Sequence, residues 1–311
     1  MIVDRPWSIQ IELTQGCNRQ CSFCGVQGIA HNPISHMSVE LAELLSDQCS
    51  AYIPDRRYEF AMHGEPTLNP NHLEILRMFR NKLPKAQMQL TTNGYSILKS
   101  NGDALEDILE IVDFIVLDTY YPERDKLREI VATSGIPVYE NCTRTSPYAN
   151  HHRKVVGIFL MDDLGVVSGI KKNRVIFNHA GNALGQPVPE KPLEKKCTNV
   201  FREISVCYNG DVCGCCMDFG HEYVVGNVLE KHLKDIWGSV EFEALRVALY
   251  NKERGFSPCN RCNYPGGMRQ GLLEPKGKLT NDLKRVINET VKKSLTCKRN
   301  VLETVYLEEP C

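Results

Sequence analysis

Cys17, Cys21 and Cys24 fall in the spacing C-x3-C-x2-C near the start of a 311-residue chain. Three thiolates hold only three corners of a cubane iron–sulfur cluster, whereas cluster proteins normally supply a Cys for every corner. An iron that is one protein ligand short can bind something else, and open coordination is the usual mark of a reactive metal site. The motif therefore points to catalysis before structure or electron storage. The bland alternative is a structural zinc site, with His31 or His36 as the fourth ligand.

A second constellation comprises Cys197, Cys215, Cys259 and Cys262. Its last two members form a C-x2-C pair, and Gly210 marks a turn five residues before Cys215. Four thiolates brought together by a turn and a C-x2-C pair can close a cluster fully. Cys216 competes with Cys215 for the same role. A zinc ribbon is the alternative for this group. The chain holds 14 cysteines, which in a small secreted protein would mean disulfides. Here they cluster in C-x2-C and C-x-C-C groups, and the opening MIVDRPWSIQIELTQGC is too short and too polar for a secretory signal. Metal ligation in a reducing cytoplasm is the expectation.

Elements must position these thiols. Hydrophobic content of 42% supports a real core, and a net charge of -1 gives no global pull toward nucleic acid or membrane. No apolar run reaches membrane-spanning length. Ser8–Leu13 alternates and runs into the first Cys loop, as a strand entering a loop. Helices are expected from Ser38, over 71–81, 104–112 and 123–133. Strands are expected over 58–62, 87–91 and 114–117, with further candidates at 136–139, 154–160 and 174–177. Strands alternating with helices at this pitch imply βα units around a parallel sheet, with chemistry at the strand ends. About six such units fit before residue 185, too few for a closed eightfold barrel. Residues 181–195 are rich in Gly and Pro and read as a linker. Beyond it lie a strand near 204–208, a turn at Asn209–Gly210, a helix over 229–249, and a basic helical stretch near 281–294. The expected organisation is 1–185, 186–266 and a helical tail, 267–311.

The first motif, with Phe23 just before Cys24, resembles that of the radical S-adenosylmethionine (SAM) superfamily. Gly64-Glu65-Pro66 after the second strand resembles the family's GGEP element, with His63 in place of its first Gly. Asn93 in TTNG and Asp118 after the fourth strand resemble further recurring elements. The phrases NGDVCGCCMD, VVGNVLEKHLKDIWGSVEFEALR and SPCNRCNY resemble the SPASM/twitch extension of that superfamily. The resemblance implies an α/β fold, a partial (β/α)6 TIM-like barrel with a small Cys-rich C-terminal auxiliary-cluster domain. It implies SAM, a SAM-binding [4Fe–4S] cluster on Cys17, Cys21 and Cys24, and one auxiliary [4Fe–4S] cluster on Cys197, Cys215, Cys259 and Cys262. A full SPASM domain would need further Cys after the C-x2-C pair, and none comes before Cys297. SAM would chelate the iron that lacks a Cys. The Gly64–Glu65 backbone and the Glu65 carboxylate would meet its ammonium, with Pro66 beside them. Asn93 would face its methionine or ribose part. His63 and His179 are the histidines best placed to line the site; His151 and His152 read as surface or packing residues.

The expected activity is reductive cleavage of SAM to a 5′-deoxyadenosyl radical that takes a hydrogen atom from a substrate C–H. Oxidation or rearrangement follows, with the auxiliary cluster able to accept an electron. The Cys spacing resembles that of the aminocyclitol dehydrogenase of this class, which favours a small-molecule or nucleotide-like substrate and an electron donor such as flavodoxin or ferredoxin. A peptide-modifying epimerase or crosslinking maturase is the alternative, with Cys213 or Cys216 as hydrogen-atom donor. A non-enzymatic cluster or zinc protein is the second. Basic residues from Lys276 onward leave contact with a nucleic acid weakly supported.

Overall fold

The computed structural model describes residues 4–21, 23–29, 33–119, 123–140, 155–160, 177–266 and 277–307. In chain order the elements are β1 (Ser8–Ile11), β2 (Thr14–Gln15), β3 (Ser35–His36), α1 (Val39–Tyr52), β4 (Arg57–Phe60), α2 (His72–Lys82) and β5 (Gln87–Thr92). Then follow α3 (Tyr95–Lys99), α4 (Asp103–Leu109), β6 (Phe114–Thr119), α5 (Arg124–Thr133), β7 (Val138–Glu140) and β8 (Val155–Leu160). The Cys-rich segment contributes β9 (Glu203–Val206), β10 (Asp211–Cys213), β11 (Val224–Asn227), α6 (Leu233–Trp237) and α7 (Val240–Tyr250), before α8 (Asn281–Leu307).

One sheet carries nine of these strands, in the order β11-β10-β9-β1-β4-β5-β6-β8-β7. Six strands from β1 to β8 are parallel, as a partial barrel requires. Their order departs from simple succession, because β8 inserts between β6 and β7. The sequence VVGIFL of β8 is apolar on both faces and suits an interior parallel position. The three-residue β7 follows Pro137, which suits an edge. Of the strand expected over 174–177, residues 174–176 lie outside the described residues, as do Cys142, His151 and His152.

Two local outcomes follow from capping. Ser38 Oγ accepts from Leu41 N at 3.2 Å and starts α1 where the sequence indicates. The single helix expected over 229–249 is instead two, because Gly238 ends α6 and Ser239 Oγ caps α7 through Phe242 N at 3.3 Å.

Alternation in the strands separates two faces. Ile9, Ile11, Tyr58, Phe60, Met88 and Leu90 are fully buried in the core shared with the helices. Each such side chain contributes about 1.5–3 kcal/mol. The opposite face carries Gln10, Arg57, Glu59 and Gln89, and it lines the barrel interior. At the barrel's open edge β9 pairs in parallel with β1, Ser8 opposite Glu203 through Ile11 opposite Val206. The Cys-rich segment thus extends the barrel sheet through its own β9–β10–β11 meander. Among the described residues, no helix is long and apolar enough to cross a membrane.

Candidate functional site

The first Cys loop leaves β1 at the carboxyl end of the sheet and is held there by backbone. Gly16 N donates to His63 O at 3.1 Å, and Glu65 N donates to Gly16 O at 3.0 Å. This locks Gly64 in a parallel bridge against Gly16. A Cβ on Gly64 would fall on Thr14 O and Gly16 O and come 2.8 Å from Gly16 N. Only a glycine allows that approach.

Cys17, Cys21 and Cys24 are all half-buried. Burial pushes the Cys24 thiol up to about 12, and the neighbouring Cys21, Cys17 and Asp118 add to the shift. Burial likewise raises Cys17. A metal cation beside such thiols inverts this local preference and favours their thiolate forms. Asp118, at the end of β6, therefore lies beside the Cys loop, and Phe23 is half-buried within it.

A shared local geometry marks the candidate ligands in both Cys groups. Arg19 N donates to Cys17 Sγ at 3.4 Å, Met217 N to Cys215 Sγ at 3.4 Å, and Tyr264 N to Cys262 Sγ at 3.4 Å. Val26 N does the same for Cys24 and Asn199 N for Cys197. In each case the amide two residues onward points at the sulfur. Amide donors of this kind stabilise a thiolate on a metal and tune a cluster's potential. The donor chemistry of both groups therefore fits iron–sulfur clusters.

Glu65 is buried and organises the neighbouring turns. Its Oε1 accepts from Thr67 N at 3.1 Å, Thr67 Oγ1 at 2.7 Å and Thr92 Oγ1 at 2.6 Å. Its Oε2 accepts from Asn93 N at 2.7 Å and keeps a lone pair. Pro66 opens the short 3₁₀ turn that Glu65 caps. Asn93 Nδ2 lies 3.5 Å from Cys17 Sγ and 2.9 Å from Asn18 Oδ1, so the TTNG turn touches the Cys loop directly.

His179 reaches the same loop from the far side. Its Nδ1 accepts from Gly25 N at 2.7 Å, next to Cys24. Burial, with His63 nearby, lowers its pKa to about 4, so the ring is neutral at pH 7. Phe219 sits between His63 and His179, with ring centroids 4.4 and 4.6 Å away. His63 points into the protein, and its Nε2 lies 3.0 Å from Cys216 O.

Cys197, Cys215 and the Cys259–Cys262 pair converge from three points on the chain. Cys259 feels the charge of the other three, and burial raises it well above an ordinary thiol. Cys216 stands between Cys215 and Glu203: its thiol neighbours that of Cys215, and its Sγ donates to Glu203 Oε1 at 3.1 Å. Cys213 is fully buried with its Sγ 3.3 Å from Cys207 Sγ. Sequence reasoning missed Arg254. Its guanidinium is buried beside these thiols, bonded to the carbonyls of Tyr264 at 2.7 Å and Lys195 at 2.9 Å. It favours their thiolate forms. Among the described residues no carboxylate pairs with it. Its position five residues before Cys259 was the available signal.

The barrel interior was also missed, because its polar residues lie two apart in separate strands. Gln10 Nε2 donates to Glu203 Oε2 at 3.4 Å, and Arg57 Nε pairs with Glu59 Oε1 at 2.7 Å. The Arg57 guanidinium also bonds to Gln89 Oε1 and lies 5.0 Å over the Phe114 ring.

Two family models match this chain: the radical SAM superfamily over residues 11–146, and SPASM, an iron–sulfur cluster-binding domain, over residues 197–263. The chain is 25% identical over 264 residues to an S-adenosyl-L-methionine-dependent 2-deoxy-scyllo-inosamine dehydrogenase from Niallia circulans, covering 82% of this chain and 92% of that one. In fold it resembles BtrN in complex with AdoMet and 2-DOIA, with a TM-score of 0.65 and 23% identity over 84% of this chain and 94% of that one. SuiB of Streptococcus suis bound to its precursor peptide SuiA follows at a TM-score of 0.50 and 14% identity, over 80% of this chain and 70% of that one. The cofactors are SAM, a SAM-binding [4Fe–4S] cluster and an auxiliary [4Fe–4S] cluster, which excludes the reading as a non-enzymatic protein. The chain belongs to the radical SAM superfamily and is an enzyme carrying a SPASM domain.

Proposed function

We propose that this enzyme oxidises a secondary alcohol on a small, polar, amine-bearing molecule. In this reading Cys17, Cys21 and Cys24 hold the SAM-binding cluster, and Cys197, Cys215, Cys259 and Cys262 hold the auxiliary one. The observation that carries the proposal is the barrel interior, where Gln10 bonds to Glu203 and Arg57 bonds to Glu59 and Gln89. Amides and carboxylates suit several hydroxyls and a cationic amine, and they do not suit an apolar side chain. Similarity to a dehydrogenase of 2-deoxy-scyllo-inosamine supports the same class of substrate.

Bound SAM, reduced by one electron, supplies the hydrogen-atom acceptor, and the auxiliary cluster supplies an acceptor for the second electron. The chain's own residues do the rest. Gly64, Glu65 and Asn93 fix the turns that meet SAM, while Phe23, Pro66 and Asp118 frame them. His179 holds the Cys loop through Gly25 N. Glu203 takes the hydroxyl proton, because its carboxylate neighbours Cys216 and so lies beside the auxiliary thiols. Loss of that proton and two electrons, one with the abstracted hydrogen, converts the alcohol to a ketone. A domain division at residues 185 and 266 fits this plan, with the second part closing the barrel's open edge.

The test is anaerobic turnover of reconstituted protein with SAM, dithionite and a panel of aminocyclitols, polyols and peptides. An amine-bearing polyol should give one 5′-deoxyadenosine per ketone. A carbon-bound deuterium at the oxidised position should appear in the 5′-deoxyadenosine. Protein with Ala at Cys17, Cys21 and Cys24 should release none, yet keep about half its iron. Peptide turnover with no polyol oxidation would sink the proposal.

A further inference from the structure

Where β1, β4 and β9 end, four side chains converge that neither cluster uses. Glu12 follows β1, His63 follows β4, Cys207 follows β9, and His221 lies between β10 and β11. Glu12, His63 and Cys207 are 0% exposed. One donor atom from each of the four lies within 4.8 Å of all the others.

The individual distances have the form of a coordination shell. His63 Nδ1 is 3.1 Å from Glu12 Oε1 and 3.1 Å from His221 Nε2, and Cys207 Sγ is 3.5 Å from His221 Nε2. A tetrahedral zinc ion with nitrogen and oxygen ligands at about 2.0–2.1 Å and sulfur at about 2.3 Å sets its ligand atoms roughly 3.3–3.6 Å apart. Gln15 closes one side, its amide 3.3 Å from His221 Nε2.

Proton accounting supports a cation here. His63 Nε2 faces the Cys216 carbonyl at 3.0 Å, and a carbonyl only accepts, so Nε2 carries hydrogen. In the neutral ring Nδ1 then presents a lone pair, the arrangement of a metal-ligating histidine whose second nitrogen is held by a carbonyl. That lone pair faces Glu12 Oε1, a fully buried oxygen with no hydrogen-bond partner. The other Glu12 oxygen is satisfied by Tyr208 N at 3.0 Å. Two lone pairs 3.1 Å apart in a dry interior repel unless a positive centre lies between them. A second ring proton on His63 would replace that cation with an imidazolium–carboxylate pair at 3.1 Å, so metal content separates the two arrangements.

We propose that Glu12, His63, Cys207 and His221 bind one zinc ion, separate from both iron–sulfur sites. One thiolate, two imidazoles and one carboxylate suit zinc and exclude the all-oxygen preferences of magnesium and calcium. Two ligands belong to the barrel and two to the Cys-rich segment, so the ion ties the edge of the barrel sheet to the added meander. His63, which departs from Gly at the GGEP-like element, gains a role of its own.

The experiment is zinc analysis and zinc-edge X-ray absorption on the reconstituted holoenzyme after dialysis against EDTA. The expected result is roughly one zinc per chain in addition to cluster iron, with one sulfur at about 2.3 Å and three nitrogen or oxygen ligands at about 2.0–2.1 Å. Glu12→Gln and His221→Ala should each lower zinc at least about fivefold with iron unchanged. The proposal is overturned if the holoenzyme takes up no zinc when supplied with it. It is equally overturned if the shell is all sulfur, which would place zinc in a cluster site, or if both variants keep their zinc. Should either variant fail to fold, the wild-type spectrum decides.

Discussion

Gly64→Ala is a sharp test of how the first Cys loop is held. The added methyl would meet Thr14 O and Gly16 O, which are backbone atoms that no rotamer change can move aside. The end of β4 must then separate from the loop after β1. Gly16 N→His63 O and Glu65 N→Gly16 O break, at 3.1 and 3.0 Å in the native chain. Overpacking costs about 1–3 kcal/mol, and two backbone bonds contribute about 0.5–1.5 kcal/mol each, more when the freed groups stay buried. The total is roughly 2–6 kcal/mol. For a chain of this size that is a fall of roughly 3–9 °C in an anaerobic thermal scan. Displacing Glu65 also releases Thr92 and Asn93, so iron at the first cluster and SAM binding should fall together. Gly255→Ala is the control, since its Cβ meets nothing within 4 Å. Equal melting, iron and SAM binding in the two variants would refute the argument.

Three further outcomes are expected. Arg254→Met removes the buried charge beside Cys197, Cys259 and Cys262 and should lower the auxiliary potential on the order of 100 mV, with Arg254→Lys partly restoring it; a redox titration of protein lacking the first cluster reads this directly. His179 titrates near 6.5 when unfolded and about 4 when folded. Its neutral form therefore stabilises the chain fully above pH 6.5, and that contribution of about 3 kcal/mol is lost as pH falls toward 4. Denaturant midpoints of the apoprotein should show this slope and His179→Leu should lack it. Glu203→Gln should slow ketone formation by about 10²-fold or more at pH 7, measured as product per 5′-deoxyadenosine; an unchanged yield would remove Glu203 as the base.

The cofactor class was legible in the chain because the candidate thiols sit close together in sequence. C-x3-C-x2-C and C-x2-C place their sulfurs within a turn, so spacing alone reports a metal site. Gly64-Glu65-Pro66 and Asn93 follow strand ends and Asp118 lies at one, where parallel α/β folds put their working residues. Helices read by capping and apolar period were largely placed as expected, since those signals are local.

Contacts distant in sequence were decided only by folding. That β9 would add to β1, or β8 slip inside β7, depends on which strand edge finds its best-buried partner, and no local pattern encodes that competition. That Cys215 rather than Cys216 neighbours Cys197, Cys259 and Cys262 rests on the direction of one turn, which leaves Cys216 between Cys215 and Glu203. The polar barrel interior and the Glu12–His63–Cys207–His221 cluster exist only where separate strands end together. Sequence determines which side chains can bind a metal; the sheet determines which of them meet.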